Sequence, residues 1–189
     1  MVGFLLMVSG NREAETFQVF NGLVSNHVHL EPYMDGLTDF YKNDFKLTFK
    51  YMTVFQQFFK EILPNLYAHF KAENFIEHLW LFKWLQTCFL YSFPFGFCIR
   101  VWDNIFAYGT RFLLMVSMAI LTFAEKELLK LSDMEFLAYF EQFKDEKEIQ
   151  KQWGDVDNIM EVARRIGSKH MTKRRIDQLF KIYDSSNKI

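Results

Sequence analysis

The 189-residue sequence predicts an all-α, multi-helix fold, and three observations carry that expectation. Apolar residues recur at spacings of three and four along most of the chain, and no stretch sustains the period-two alternation of a half-buried strand. Glycine and proline are scarce, at 8 and 3 residues, which disfavours an all-β or turn-rich design. Half of the residues are apolar and 23 are phenylalanine. That composition excludes disorder for most of the length, and a chain of this size buries about 70% of the surface its unfolded form exposes.

The elements follow in order. Asn11 is the expected N-cap of a helix reaching about Ser25. Residues 26–43, with Pro32 and Gly36, read as irregular. Asp44 caps a long helix to Ile62, and Leu63–Pro64 opens the next, because proline suits a first helical turn. A helix over 75–92 follows; Pro94 then starts another that ends near Tyr108 and Gly109. The segment 112–123 is apolar on nearly every face, the pattern of a central core helix. Ser132 and Glu135 form a capping box ahead of a further helix. The charged run 144–148 is the expected boundary between a unit at 1–143 and a basic tail at 144–189. The tail should hold two short helices, about 155–166 and 172–183, separated by Gly167–Ser168. No internal repeat is visible.

The helix over 44–62 carries more information than its length. At about 100° per residue, its ten apolar residues cover roughly 220° of arc, where a surface helix hides a stripe of about 100°. Only Thr48 and Gln56 interrupt that arc. The helix should therefore be covered on two sides, by its own core and by a second surface. Phe45, Phe49, Met52, Phe55 and Phe59 are the partner-facing candidates.

Charge and motif content exclude several functions. The net charge of −1 gives no field to steer nucleic acid or acidic lipid. Between Arg164 and Lys181 there are seven basic residues and one acid, Asp177. Their spacing puts them on solvated helix faces, so nucleic acid is not the expected partner. Two cysteines, Cys88 and Cys98, are too few for a disulfide framework, and with no secretory leader they read as reduced thiols of a cytoplasmic protein. The apolar run 1–8 is too short to span a bilayer, and the run 84–99 is broken by Gln86, Pro94 and Gly96. His27, His29 and Glu31 share one side of an extended segment, as metal ligands would, but a polar loop explains them equally and no second cluster supports them. No metal is expected. Nucleophile elbows, Cys-x-x-Cys pairs and phosphate-binding glycine loops are all absent, so no cofactor is expected either.

From Glu61 onward the residues match something specific. The run Glu61-Ile-Leu-Pro-Asn-Leu-Tyr-Ala-His69 is followed by Leu81-Phe-Lys-Trp84, Phe93-Pro94, Arg100-Val-Trp-Asp103 and Gly109. This order and spacing resembles the C-terminal half of the TBC domain, the all-helical domain of Rab GTPase-activating proteins. Phe4-Leu-Leu to Asn11, the 13–20 segment, Tyr33-Met34 and Gly36-Leu37 resemble it too, so the match runs from Met1 to about Phe143. The resemblance implies structural roles for Leu63, Pro64, Trp84, Phe93, Pro94, Arg100, Trp102, Asp103 and Gly109. Arg100 and Asp103, three apart on one helix, are expected to pair with each other or cap neighbouring backbone.

Active members of that family give a Rab two side chains in trans, an arginine in I-x-x-D-x-x-R and a glutamine in Y-x-Q. This sequence contains no D-x-x-R and no Y-x-Q, nor the family's earlier R-x-x-x-W; it reads as starting just after the glutamine motif. An arginine finger supplies about 10³–10⁵ in rate, or roughly 4–7 kcal/mol of barrier. The expectation is therefore a non-enzyme that does not accelerate GTP hydrolysis as it stands. Two roles are consistent with that. The chain is part of a longer regulator of Rab-type GTPases, or it is a catalytically inactive scaffold subunit of a larger assembly. Either way a half-domain should expose an apolar patch, so the isolated chain is expected to self-associate.

Overall fold

The computed structural model describes residues 1–25, 37–132 and 135–186. Among them lie eleven α-helices and no strand. These are α1 (Val2–Val8), α2 (Glu13–Val24), α3 (Lys46–Ile62), α4 (Pro64–Ala72), α5 (Leu81–Thr87) and α6 (Phe95–Tyr108). They are followed by α7 (Phe112–Leu128), α8 (Glu135–Glu141), α9 (Glu146–Trp153), α10 (Val156–Lys169) and α11 (Lys173–Ser186).

The core is organised around α7. Every residue from Phe112 to Leu121 is buried, as are Ala124 and Leu128, which is the all-round apolar pattern converted into a helix with neighbours on every side. α10 lies along it most extensively, and α3, α5 and α6 pack against other parts of its surface. Gly167 sits inside α10, and a Cβ there would lie 2.5 Å from the Sδ of Met115 on α7. Gly167–Ser168 is therefore not the helix break expected from the sequence. The glycine instead leaves room for the Met115 side chain, and α10 continues through it to Lys169.

Other boundaries differ for identifiable reasons. Asn11 closes α1 rather than opening α2. It has φ of 63° and donates its amide to the Leu6 carbonyl at 2.8 Å, the left-handed termination that asparagine tolerates. Asp44 does not cap α3; Asp44 and Phe45 both take left-handed conformations, and the ring of Phe45 packs edge-on against Phe82. The single helix expected over 75–92 is a 3-10 turn at Glu77–Leu79 followed by α5. It stops at Cys88 and Phe89, which both have positive φ. The Glu135 carboxylate accepts from the Ser132 amide at 2.9 Å, so that half of the capping box forms. The charged run 144–148 opens α9, N-capped by Asp145, and α9 buries Ile149 and Trp153. The Trp153 ring stacks on Phe143 with centroids 3.7 Å apart.

The wide apolar arc of α3 is covered from within the chain. One side faces Trp80 and Phe82, while α11 crosses the other. There Phe180 packs on Tyr51 and Lys50 reaches Asp184 at 2.7 Å. Arg175 bonds Glu61 while its guanidinium lies 5.1 Å from the Phe58 ring centre. The two polar interruptions of the arc each serve a hydrogen bond. Thr48, fully buried, donates to the Phe40 carbonyl at 3.0 Å and accepts from Gln86. Gln56 donates to the buried carboxylate of Glu77 at 2.8 Å.

Candidate functional site

The residues singled out by motif converge on α6 and the turns that flank it. Phe93 and Pro94 set its start. Pro94 is the N-cap, in the extended conformation, and Phe93 stacks on Phe97 with centroids 4.5 Å apart. Phe93 also meets the edge of Trp84, whose buried indole contacts Trp80, Phe89 and Phe140. At the other end Gly109 has φ 77° and ψ −177°, a region essentially closed to residues with a Cβ. That conformation lets the chain turn directly into α7, with the Gly109 carbonyl accepting from Phe112 at 3.0 Å.

Trp102 is the pivot of the site. It is 2% exposed, its ring centre lies 5.1 Å from that of Phe4 on α1, and its indole N–H donates to the Cys88 carbonyl at 3.2 Å. Cys88 is the left-handed residue that ends α5. The tryptophan therefore fixes the break between α5 and α6, and helps to seat α1 on α6.

Arg100 and Asp103 lie on the exposed side of the same helix. They pair at 3.3 Å, as their spacing implies, but the closer partner of Arg100 is Asp157 in the first turn of α10, reached by Nε at 2.6 Å. Asp157 first, and Asp103 after it, push the Arg100 pKa further upward. One turn on, Asn104 receives Arg164 of α10 at 2.9 Å. The Arg-x-Trp-Asp motif thus joins α6 to α10 on one side and to the α5 break on the other. Leu63 and Pro64 do comparable work at the α3–α4 corner. Leu63 is buried with its amide bonded to Phe59, and Pro64 occupies the first turn of α4.

Of the five candidates on the α3 arc, Met52, Phe55 and Phe59 are at most 3% exposed and face the chain's own core. Phe49 is half-buried against His78 and Phe82; Phe45 is 39% exposed. Other large apolar side chains are more exposed, among them Met7 on α1, Phe17 on α2, and Phe95 and Phe106 on α6. Sequence reasoning missed the buried Glu77 and Gln86, whose partners are distant in sequence. His27, His29 and Glu31 lie outside the described residues. Among the described residues no three metal-type side chains come together, and no helix is long and apolar enough to cross a membrane.

Chemically the cluster holds positions and carries no reactive group. Burial pushes the thiols of Cys88 and Cys98 up to about 12, which leaves them protonated and inert at neutral pH. The charged groups of the motif are engaged at the surface, Arg100 with both Asp157 and Asp103. The cluster's capacity is to orient α1, α5, α6 and α10 around α7.

Comparison with known proteins gives that arrangement its context. The family model of the Rab-GTPase-TBC domain matches residues 1–129. TBC1 domain family member 12 of Xenopus tropicalis is 30% identical over 126 residues, 67% of this chain and 17% of that protein. Human TBC1 domain family member 14 is 30% identical over 118 residues, 62% of this chain and 16% of that protein. The Rab GTPase-activating protein eat-17 of Caenorhabditis elegans is 28% identical over 184 residues, 96% of this chain and 19% of that protein. The chain thus spans less than a fifth of each of these relatives. With its helical array and its Phe-Pro, Arg-x-Trp-Asp and Gly109 positions in the roles described, this chain belongs to the Rab-GTPase-TBC domain family.

Proposed function

We propose that the chain is the structural portion of a Rab GTPase-activating domain, and that it supplies no hydrolytic side chain itself. The observation that carries this reading is a contrast within one sequence. The residues that hold the helices together are all in place, whereas D-x-x-R and Y-x-Q occur nowhere in the 189 residues. The motif arginine is committed to Asp157 and Asp103 at the surface, which suits a packing role and not a finger. On this reading the chain regulates a Rab-type GTPase in the cytoplasm only as part of a longer protein. It carries no cofactor.

The exposed Met7, Phe17, Phe95 and Phe106 favour a second reading, a catalytically inactive subunit held by protein partners in a larger assembly. The two separate in a binding experiment. Rab-family GTPases loaded with a non-hydrolysable GTP analogue are titrated against the immobilised chain. Binding that requires the GTP form supports the first reading. Loss of all nucleotide dependence, with a mass above that of the monomer in light scattering, replaces it with the second.

A further inference from the structure

We propose that α11 is a displaceable strap over a helix-docking face of α3, and that this face takes, from a partner, an amphipathic helix with the charge pattern of α11. The face consists of Lys50, Tyr51, Val54, Phe58 and Glu61, which at about 100° per residue fall within about 100° of arc. α11 crosses it antiparallel. Arg175 in its first turn bonds Glu61 at the end of α3, and Asp184 in its last turn accepts from Lys50 at 2.7 Å. Between these pairs Phe180 packs on Tyr51 with ring centres 5.1 Å apart, and the Arg175 guanidinium lies 5.1 Å from the Phe58 ring centre. The two charges are nine residues apart on α11 and eleven apart on α3, about 13.5 and 16.5 Å of helix. The lysine and arginine side chains absorb that difference.

The face is buried more deeply than the helix that covers it. Tyr51, Val54 and Phe58 are at most 2% exposed, whereas Ile176 is the one buried residue of the 14 in α11 and Ile182 is 61% exposed. An open cleft of about 540 Å³ lies between the two helices beside Val54, Leu179 and Ile182. Both ion pairs reach solvent, with Arg175 and Glu61 40% and 43% exposed and Asp184 49% exposed. Such pairs hold little and are screened by salt. A helix held in this way belongs to the low end of local stability and opens without the core around α7. When it lifts, Tyr51 and Phe58 lose the cover of Phe180 and Arg175, and an apolar stripe bracketed by a cation and an anion faces solvent. Those brackets select the occupant. A partner helix must run antiparallel, with a cation toward its N-terminal end and an anion about nine residues on; the reversed pattern meets like charge at both ends. α11 is the built-in competitor of such a helix. No residue of the family motifs takes part, so the inference does not rest on the Rab reading.

The test uses the full 189-residue chain and a fluorescein-labelled peptide of residues 172–186. In the parent chain the tethered α11 occupies the face, so the free peptide binds weakly. Replacing Arg175→Glu together with Asp184→Lys sets like charges against Glu61 and Lys50 and frees the face without altering α3. Anisotropy titration should then show the peptide binding about 10- to 100-fold more tightly than it binds the parent chain, the gain expected when the open form rises from about 1–10% to most of the population. A peptide carrying the same two reversals should not bind. Hydrogen exchange on the parent chain should show lower protection in α11 than in α7, and lower still at high salt. Should the double variant fail to fold by circular dichroism, Asp184→Lys alone takes its place. The proposal is overturned if α11 is protected as strongly as α7, if the variant takes the peptide no more tightly than the parent chain, or if the charge-reversed peptide binds as well as the native one.

Discussion

Replacing Trp102 by phenylalanine isolates what the central motif does. The substitution keeps an aromatic ring near Phe4 but deletes the indole N–H that reaches the Cys88 carbonyl at 3.2 Å. Two costs follow. Cys88 is 1% exposed, so its carbonyl loses a partner where water does not replace it, at about 1–3 kcal/mol. The smaller ring also leaves a residual cavity of roughly 40 Å³, which at about 24 cal/mol per Å³ adds about 1 kcal/mol. The sum is about 2–4 kcal/mol, or a fall in Tm of about 5–15 °C for a chain of this size. Arg100→Gln serves as the comparison. Its ion pairs are exposed, and such pairs are worth about 0–1 kcal/mol. Urea unfolding followed by far-ultraviolet circular dichroism measures both, with unchanged m-values as the check that the denatured state is comparable. A Trp102→Phe cost below about 0.5 kcal/mol, or one smaller than that of Arg100→Gln, would refute the argument that the motif acts by fixing helices.

Further expectations follow from the same geometry. Gly109→Ala forces a Cβ into a backbone region that excludes it and should cost about 1–3 kcal/mol, read as a lower urea midpoint. Cys88 and Cys98 should resist a thiol reagent at pH 8 in the native chain and react at once in denaturant; rapid native labelling would contradict their burial. Alkaline stability has a definite sign. Both thiols and Tyr41 have pKa values raised to about 12, above the roughly 8.5–10 of the unfolded chain. Their contribution is complete below about pH 8.5 and disappears as pH rises toward 12. Denaturation midpoints should therefore be flat near neutrality and fall above pH 9; midpoints unchanged to pH 11 would contradict it. Light scattering on the isolated chain should report a mass above the 22.7 kDa monomer, because Val2, Met7, Val8, Phe17, Phe95 and Phe106 are each exposed and soluble monomers rarely leave much apolar surface open. A stable monomer would count against an interaction face there.

The parts of the fold legible in the sequence are those fixed by local chemistry. Pro64 and Pro94 marked helix starts, Gly109 marked an end, and the continuous apolar run at 112–123 identified α7. What escaped was fixed at a distance. Nothing in Cys88 or Phe89 favours a left-handed backbone; the break there is held by an indole 14 residues away. Gly167 looked like punctuation because its steric partner, Met115, lies on another helix. α9 carried a readable signal in Asp145, Ile149 and Trp153, but the density of charge between them hid it. The width of the α3 arc led to the expectation of a cover from beyond this chain, whereas α11, more than 110 residues on, packs on it from within. For the motif, the Arg100–Asp103 pair was legible from spacing, whereas Asp157, 57 residues on, was not.

On the proposed reading, this chain holds part of the architecture of a Rab GTPase-activating domain without its hydrolytic groups. Single-turnover GTP hydrolysis by purified Rab-family GTPases, with the chain in large excess, tests it most directly. The intrinsic rate is the expected result for every GTPase tried. An acceleration of about 10³-fold or more that disappears on replacing one arginine of this chain would contradict it.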